Sequence, residues 1–170
     1  MHPASPVEKI EVVPATPEQQ PVLAKLLELY VQGFSEFHQV EPGEDGQFDY
    51  PGLPLYWSES THHPFLINVE GKLAGFAFVI QGSRFSADQG VWDMAEFFVL
   101  HEYRRRGIGT RAAHKVLWRF SGRWEVRVME ANVSALHFWQ HAVSAFTGEE
   151  VHSTRFERMG ETWCLFSFES

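Results

Sequence analysis

Residues 103–113 read YRRRGIGTRAA. Three consecutive arginines, Arg104, Arg105 and Arg106, run into Gly107 and Gly109 and then into small, helix-compatible residues. The apolar run AEFFVL precedes them, and Ile108, Ala112, Val116 or Leu117, and Phe120 follow at helical spacing. A turn placed so leaves the N–H groups at a helix start unpaired and pointing outward. Those donors and the positive end of the helix dipole together bind anions. Glycines without Cβ let an anion approach the main chain, and the arginines add charge. The same residues also suit a plain basic turn that caps a helix, and the spacing leaves both readings open. Two phosphate loops do not fit. Thr110-Arg111 stand where a Walker A loop needs Lys-Ser/Thr, and two glycines stand where a dinucleotide fingerprint needs three.

Other reactive side chains are sparse. His137 and His141 lie four apart on an expected helix and share a face. They read HFWQH, lacking the glutamate of H-E-x-x-H, and no third ligand is evident, so no metal is expected. His62 and His63, before Pro64, read as loop residues. Cys164 lies between Trp163 and Leu165 and reads as core. It is the one cysteine, so no intrachain disulfide forms and a reducing compartment suits the chain.

The elements that must position these groups follow from the pattern. The chain has 170 residues, with 44% apolar and 21% charged residues, values of one globular domain. Its aromatic content of 15% points to an aromatic core or cleft. A net charge of -8 argues against nucleic-acid partners. The first residues lack the features of a signal peptide, and no apolar run approaches a membrane span, so a cytoplasmic protein without a membrane role is expected. Residues 1–8 read as a loose tail. IEVVPAT is a first strand, and Thr16-Pro17 open a helix carrying Leu23, Leu26, Leu27 and Tyr30. FSEFHQ suits a second short helix. Residues 41–64 form a long loop with a short helix near Tyr56 and Trp57. PFLINVEGKLAGFAFVI is a hairpin turning at Glu70-Gly71, and VWDMAEFFVL is the next strand, antiparallel to its neighbour. A helix from Ile108 closes at Ser121-Gly122. WEVRVM follows as a parallel crossover strand, then the helix SALHFWQHAV, then strands VHSTRF and ETWCLFSF around Gly160. The order β-α-α-β-β-β-α-β-α-β-β describes an α/β domain with a mixed sheet of six to seven strands.

In that setting FFVLHEYRRRGIGTRAA resembles the acetyl-CoA-binding motif of the GNAT superfamily of N-acetyltransferases: an apolar bulged strand, then Gln/Arg-x-x-Gly-x-Gly/Ala opening a helix. NVSALHFW resembles a second segment of that superfamily, Asn-x-x-Ala-x-x-Phe-Tyr, and the element order matches over essentially the whole chain. The resemblance implies a GNAT-like fold and acetyl-CoA as cosubstrate. It implies that Arg104, Arg105, Arg106, Gly107, Ile108, Gly109 and Thr110 hold the pyrophosphate, chiefly through backbone N–H groups. Phe98, Val99 and Leu100 fall at the end of the bulged strand, where Val99 and Leu100 would pair with the pantetheine arm. Asn132, Ala135 and Phe138 would line its other side.

The implied reaction is acetyl transfer to a primary amine of a small molecule or peptide, which needs a base. Glu96 is the candidate, because its apolar neighbours Met94, Ala95, Phe97 and Phe98 would raise its pKa. A surface or hairpin-paired glutamate is the alternative reading, and Asp93 is a second candidate base. Trp139 stands where many members have a tyrosine acid, and indole is no useful acid. His137, His141 and Tyr103 are substitutes. The departure motivates an alternative, a non-catalytic acyl-CoA-binding or sensing module. Asp45, Asp49 and Glu59 could attract an ammonium on which Tyr50, Tyr56 and Trp57 pack. The resemblance also implies a homodimer formed through the terminal strands.

Overall fold

The computed structural model describes residues 7–34 and 50–170. Strand β1 (Ile10–Pro14) leads into a 3-10 turn (Pro17–Gln19) and helix α1 (Gln20–Phe34). Thr16 precedes the turn, its N–H donating to Gln19 Oε1 at 2.9 Å, with Pro17 at the first position. Helix α2 (Leu55–Ser58) is the short helix expected near Tyr56 and Trp57. Strands β2 (His62–Val69), β3 (Lys72–Gln81) and β4 (Trp92–Val99) follow, then a 3-10 turn (His101–Tyr103) and helix α3 (Ile108–Leu117). Strand β5 (Arg123–Met129), helix α4 (Val133–Thr147), and strands β6 (Thr154–Arg158) and β7 (Glu161–Glu169) complete the order. Residues 35–39 of the expected second helix, with Asp45 and Asp49, lie outside the described residues. Among the described residues no helix is long and apolar enough to cross a membrane.

The seven strands form one mixed sheet in the order β1-β2-β3-β4-β5-β7-β6. Every pairing is antiparallel except β4 with β5, which follows from the α3 crossover between them. That parallel pairing covers only Trp92 opposite Trp124 and Asp93 opposite Glu125. Beyond it the two strands part and leave a gap in mid-sheet.

Apolar alternation gives each sheet face its own core. On one face α3 and α4 cover Val12, Ile67, Val79, Met94, Val126 and Phe166. On the other, α1 and α2 bring Leu23, Leu27 and Tyr56 onto Leu66, Phe76, Phe78 and Ala95. Phe78 pairs with Glu96 and Val79 with Met94, so Ala95 is an extra residue on β4. This bulge turns Ala95 and Glu96 to the same face, the one under α1.

Several boundaries differ from the sequence expectation; helix α4, for one, runs on to Thr147 past the expected end at Val143. Helix α3 ends at Leu117, and Phe120 instead packs on Trp92 at 4.3 Å and His63 at 5.0 Å between ring centroids. Gly122, at φ 129°, belongs to the entry of β5. His62 and His63 lie in β2 rather than a loop, where pairing with Ile80 and Val79 continues the hairpin. Strand β6 begins at Thr154 and not at Val151, because Val151 is tied by its carbonyl to Gln140 of α4. Cys164 is buried in β7, as expected.

Candidate active site

Helix α3 starts without a side-chain cap. Gly107 occupies the capping position at φ 73°, the left-handed region that favours glycine. The N–H groups of Ile108, Gly109 and Thr110 therefore have no intrahelical acceptor, and the first such bond in the helix is Arg111 N–H to Gly107 O at 3.2 Å. The two glycines also do different work within the fold. A Cβ on Gly107 would meet nothing within 4 Å, so that position needs its backbone angle. A Cβ on Gly109 would lie 3.0 Å from the Phe138 ring, so that position needs its smallness for α3 to seat against α4.

The arginines turn to neighbours. Arg104 donates from Nε to Val99 O at 2.9 Å, with its guanidinium 5.5 Å from the Phe98 ring centre. Arg106 pairs with the Glu8 carboxylate and stacks 5.7 Å over Tyr103. Arg111 donates to Glu8 O at 2.9 Å. Arg105 is exposed, with φ 62°. The orphan N–H groups of the α3 start thus sit among three exposed arginines, two of which are engaged by neighbours.

Strand β4 carries the next part of the site. Leu100 N–H donates to Ala74 O at 2.7 Å, so this donor is engaged by β3. Phe98 also turns its carbonyl to β3: a Cβ on Gly75 would lie 2.0 Å from that oxygen. By the alternation of an antiparallel ladder, Val99 then directs its main chain into the gap toward β5. Of Phe98, Val99 and Leu100, only Val99 is turned there, and since its carbonyl accepts from Arg104 Nε, its N–H is the group placed to pair with an extended ligand. Across the gap, Asn132 caps α4, its Oδ1 accepting from Ala135 N–H at 3.2 Å. Phe138 stacks on Phe97 at 5.7 Å, and buried Trp139 meets Phe97 edge-on at 5.2 Å.

On the opposite face stands Glu96. The Tyr30 hydroxyl donates to its Oε2 at 2.5 Å and the Tyr50 hydroxyl to its Oε1 at 3.2 Å. Burial pushes the Glu96 carboxyl above its ordinary range, against the Tyr30 hydrogen bond and the charges of Arg127 and Arg84. Burial and the Glu96 charge push Tyr30 and Tyr50 up, so both remain hydroxyl donors. Each carboxylate oxygen keeps a second lone pair for a proton. Tyr30 escaped the sequence reading because it continues the leucine stripe of α1; its polar tip was the available signal.

Asp93 is the other carboxyl on this face. It is 1% exposed and held by Arg84 Nε at 3.2 Å and Arg127 Nη2 at 3.4 Å. Burial raises its pKa while Arg127 and Arg84 lower it. Two guanidiniums so placed make it an ion-pair partner. Tyr56 is buried and stacked on Phe78 at 4.0 Å, and Trp57 donates to Ala15 O at 3.0 Å. Both hold α2 in place, with Tyr56 buried and Trp57 half-buried; Glu59 is exposed. His137 and His141 are exposed, while Trp139 between them points inward. Tyr103 lies beneath Arg106. No group of potential metal ligands occurs among the described residues.

The model of the acetyltransferase (GNAT) family matches residues 23–143, well over half of the chain. The chain belongs to the GNAT family of acetyltransferases. Solved structures agree on the fold. An acetyltransferase from Thermus thermophilus superposes with a TM-score of 0.68 at 16% identity, over 95% of this chain and 97% of that one. The yncA protein of Salmonella typhimurium, solved with its cofactor acetyl-CoA, gives 0.63 at 8% identity over 94% and 93%. Arabidopsis thaliana NAA60, in complex with a bisubstrate analogue, gives 0.62 at 13% over 95% and 98%. No curated protein matches the sequence. As a GNAT acetyltransferase the chain has a setting that suits acetyl-CoA: an uncapped helix start for phosphates and a strand gap for an extended arm.

Proposed function

We propose that this GNAT acetyltransferase transfers an acetyl group from acetyl-CoA directly to a primary amine. The observation that carries this reading is Glu96, a carboxylate of raised pKa set at the β4 bulge beside the strand gap. A carboxylate made more basic by burial is better able to take a proton from an ammonium. Acetyl-CoA supplies the activated acyl group. The N–H groups of Ile108, Gly109 and Thr110 would hold its pyrophosphate, and Val99 would pair with its arm. The amine nitrogen forms a bond to the acyl carbon, the carbon–sulfur bond breaks, and the amine proton passes to Glu96. The thiolate leaves without a phenol on α4, since Trp139 offers only an indole N–H.

The test is amine-dependent thiol release across an amine library, with acetyl-CoA binding measured by calorimetry. Glu96→Gln is expected to lower kcat about 10²- to 10⁴-fold while leaving acetyl-CoA affinity within about two-fold. The buried indole at Trp139 favours one second reading, an acyl-CoA sensor. It predicts equal binding with no thiol release from wild type.

A further inference from the structure

We infer that Arg127 is the positioning residue that sets the pH at which Glu96 becomes a base. The inference rests on the role given to Glu96 above. Strand register fixes the placement. Asp93 pairs with Glu125 in parallel, so both point to the same face. Arg127 lies two residues further along β5 and returns to that face. On β4 the extra residue Ala95 brings Glu96 to the corresponding level. Arg127 and Glu96 therefore share one face at one level where the strands part, with the guanidinium held at Asp93, 3.4 Å away.

The charge of Arg127 is incompletely answered. Its side chain is 16% exposed. Its ion-pair partner Asp93 is shared with Arg84, so one carboxylate faces two guanidiniums. The other buried carboxylate, Glu125, accepts from Ser83 Oγ at 3.2 and 3.0 Å. Arg127 Nε and Asp93 Oδ1 have no hydrogen-bond partner. A buried cation in that state favours an anion nearby. Among the described residues, the other groups around Glu96 are the hydroxyls of Tyr30 from α1 and Tyr50, with Tyr56 of α2 behind Tyr50. His62 packs beyond Tyr56, and Arg104 covers Phe98, the next residue on this face of β4. Arg84 reaches in from the β3–β4 loop, which is pinned to the far strands by Phe85 against Phe156. Among these described groups, Arg127 is the one that comes from a strand directly across the gap.

The experiment compares kcat/KM against pH for wild type, Arg127→Gln, Arg127→Lys and the control Arg155→Gln, whose exposed partner is Glu130. The acid limb is expected to move up by about one pH unit in Arg127→Gln and to return toward wild type in Arg127→Lys. Arg155→Gln leaves it in place. A limb that stays put in Arg127→Gln while kcat only scales down overturns the inference. If Arg127→Gln does not fold, Arg127→Met, which keeps the apolar stem without the charge, is read for the same upward shift, and an unmoved limb there overturns the inference. A wild type without amine-dependent thiol release refutes the proposed reaction instead. The inference is then read from ¹³C NMR titration of Glu96, where equal midpoints in wild type and Arg127→Gln overturn it.

Discussion

Glu96 has each oxygen tied to a tyrosine hydroxyl from a different segment, and burial and hydrogen bonding pull its acidity in opposite directions. Burial wins, so the carboxyl protonates above its ordinary value of 4.5, and the base form is lost as pH falls through that raised value. Tyr30→Phe removes the larger opposing hydrogen bond. The acid limb of kcat/KM is expected to move up by about one unit, or about 1.4 kcal/mol on the ionised form. A pH profile checks it, and a limb moving down contradicts it. Linkage gives a stability counterpart. A folded-state pKa above the unfolded one means the fold binds the proton more tightly, so stability falls as pH rises from 4.5 through the raised value. Glu96→Gln should flatten that slope in thermal melts across this window. A slope unchanged by the substitution would assign it to other groups.

At the scale of elements, the site depends on how closely β3 approaches β4 and α3 approaches α4, which Gly75 and Gly109 set, and on the turn that Gly107 makes into α3. Gly107→Ala places Cβ at φ 73° and should cost about 1–2 kcal/mol in urea unfolding. Gly75→Ala should cost more, about 3 kcal/mol, because its Cβ would lie 2.0 Å from the Phe98 carbonyl and the two strands must separate. It should also raise KM for acetyl-CoA, since Val99 moves with β4; an unchanged KM would detach the cofactor from that strand. These elements were legible to different degrees. The strands and helices of the motif region could be read, since hydrophobic period and turn residues are local. The G-x-G pattern was visible, but the contact of Gly109 with Phe138 spans the α3–β5–α4 segment, and nothing near residue 109 signals it. The bulge at Ala95 was invisible because AEFF reads as continuous strand. The pairing of Asp93 with Arg84 and Arg127 was hidden for the same reason: it exists only once β5 lies beside β4.

For the whole molecule, a chain of net charge -8 must attract an anionic cosubstrate. The long-range field opposes that encounter, and the helix start of α3 acts only within its first turn. Glu8 stands at this balance point. Its carboxylate neutralises Arg106 beside the orphan N–H groups, while its carbonyl binds Arg111. The Glu8 and Arg106 side chains are 32% and 46% exposed, so the pair is worth at most about 1 kcal/mol. Glu8→Gln removes a nearby anion and frees Arg106, so KM for acetyl-CoA should fall about two- to five-fold at low salt. The difference should vanish near ~1 M salt, where the Debye length shrinks to about 3 Å. A KM that rises at every salt concentration would show instead that the Glu8 bridge holds the turn in its binding shape. The main-chain donors would then depend on β1 for their placement, because Glu8 leads directly into that strand.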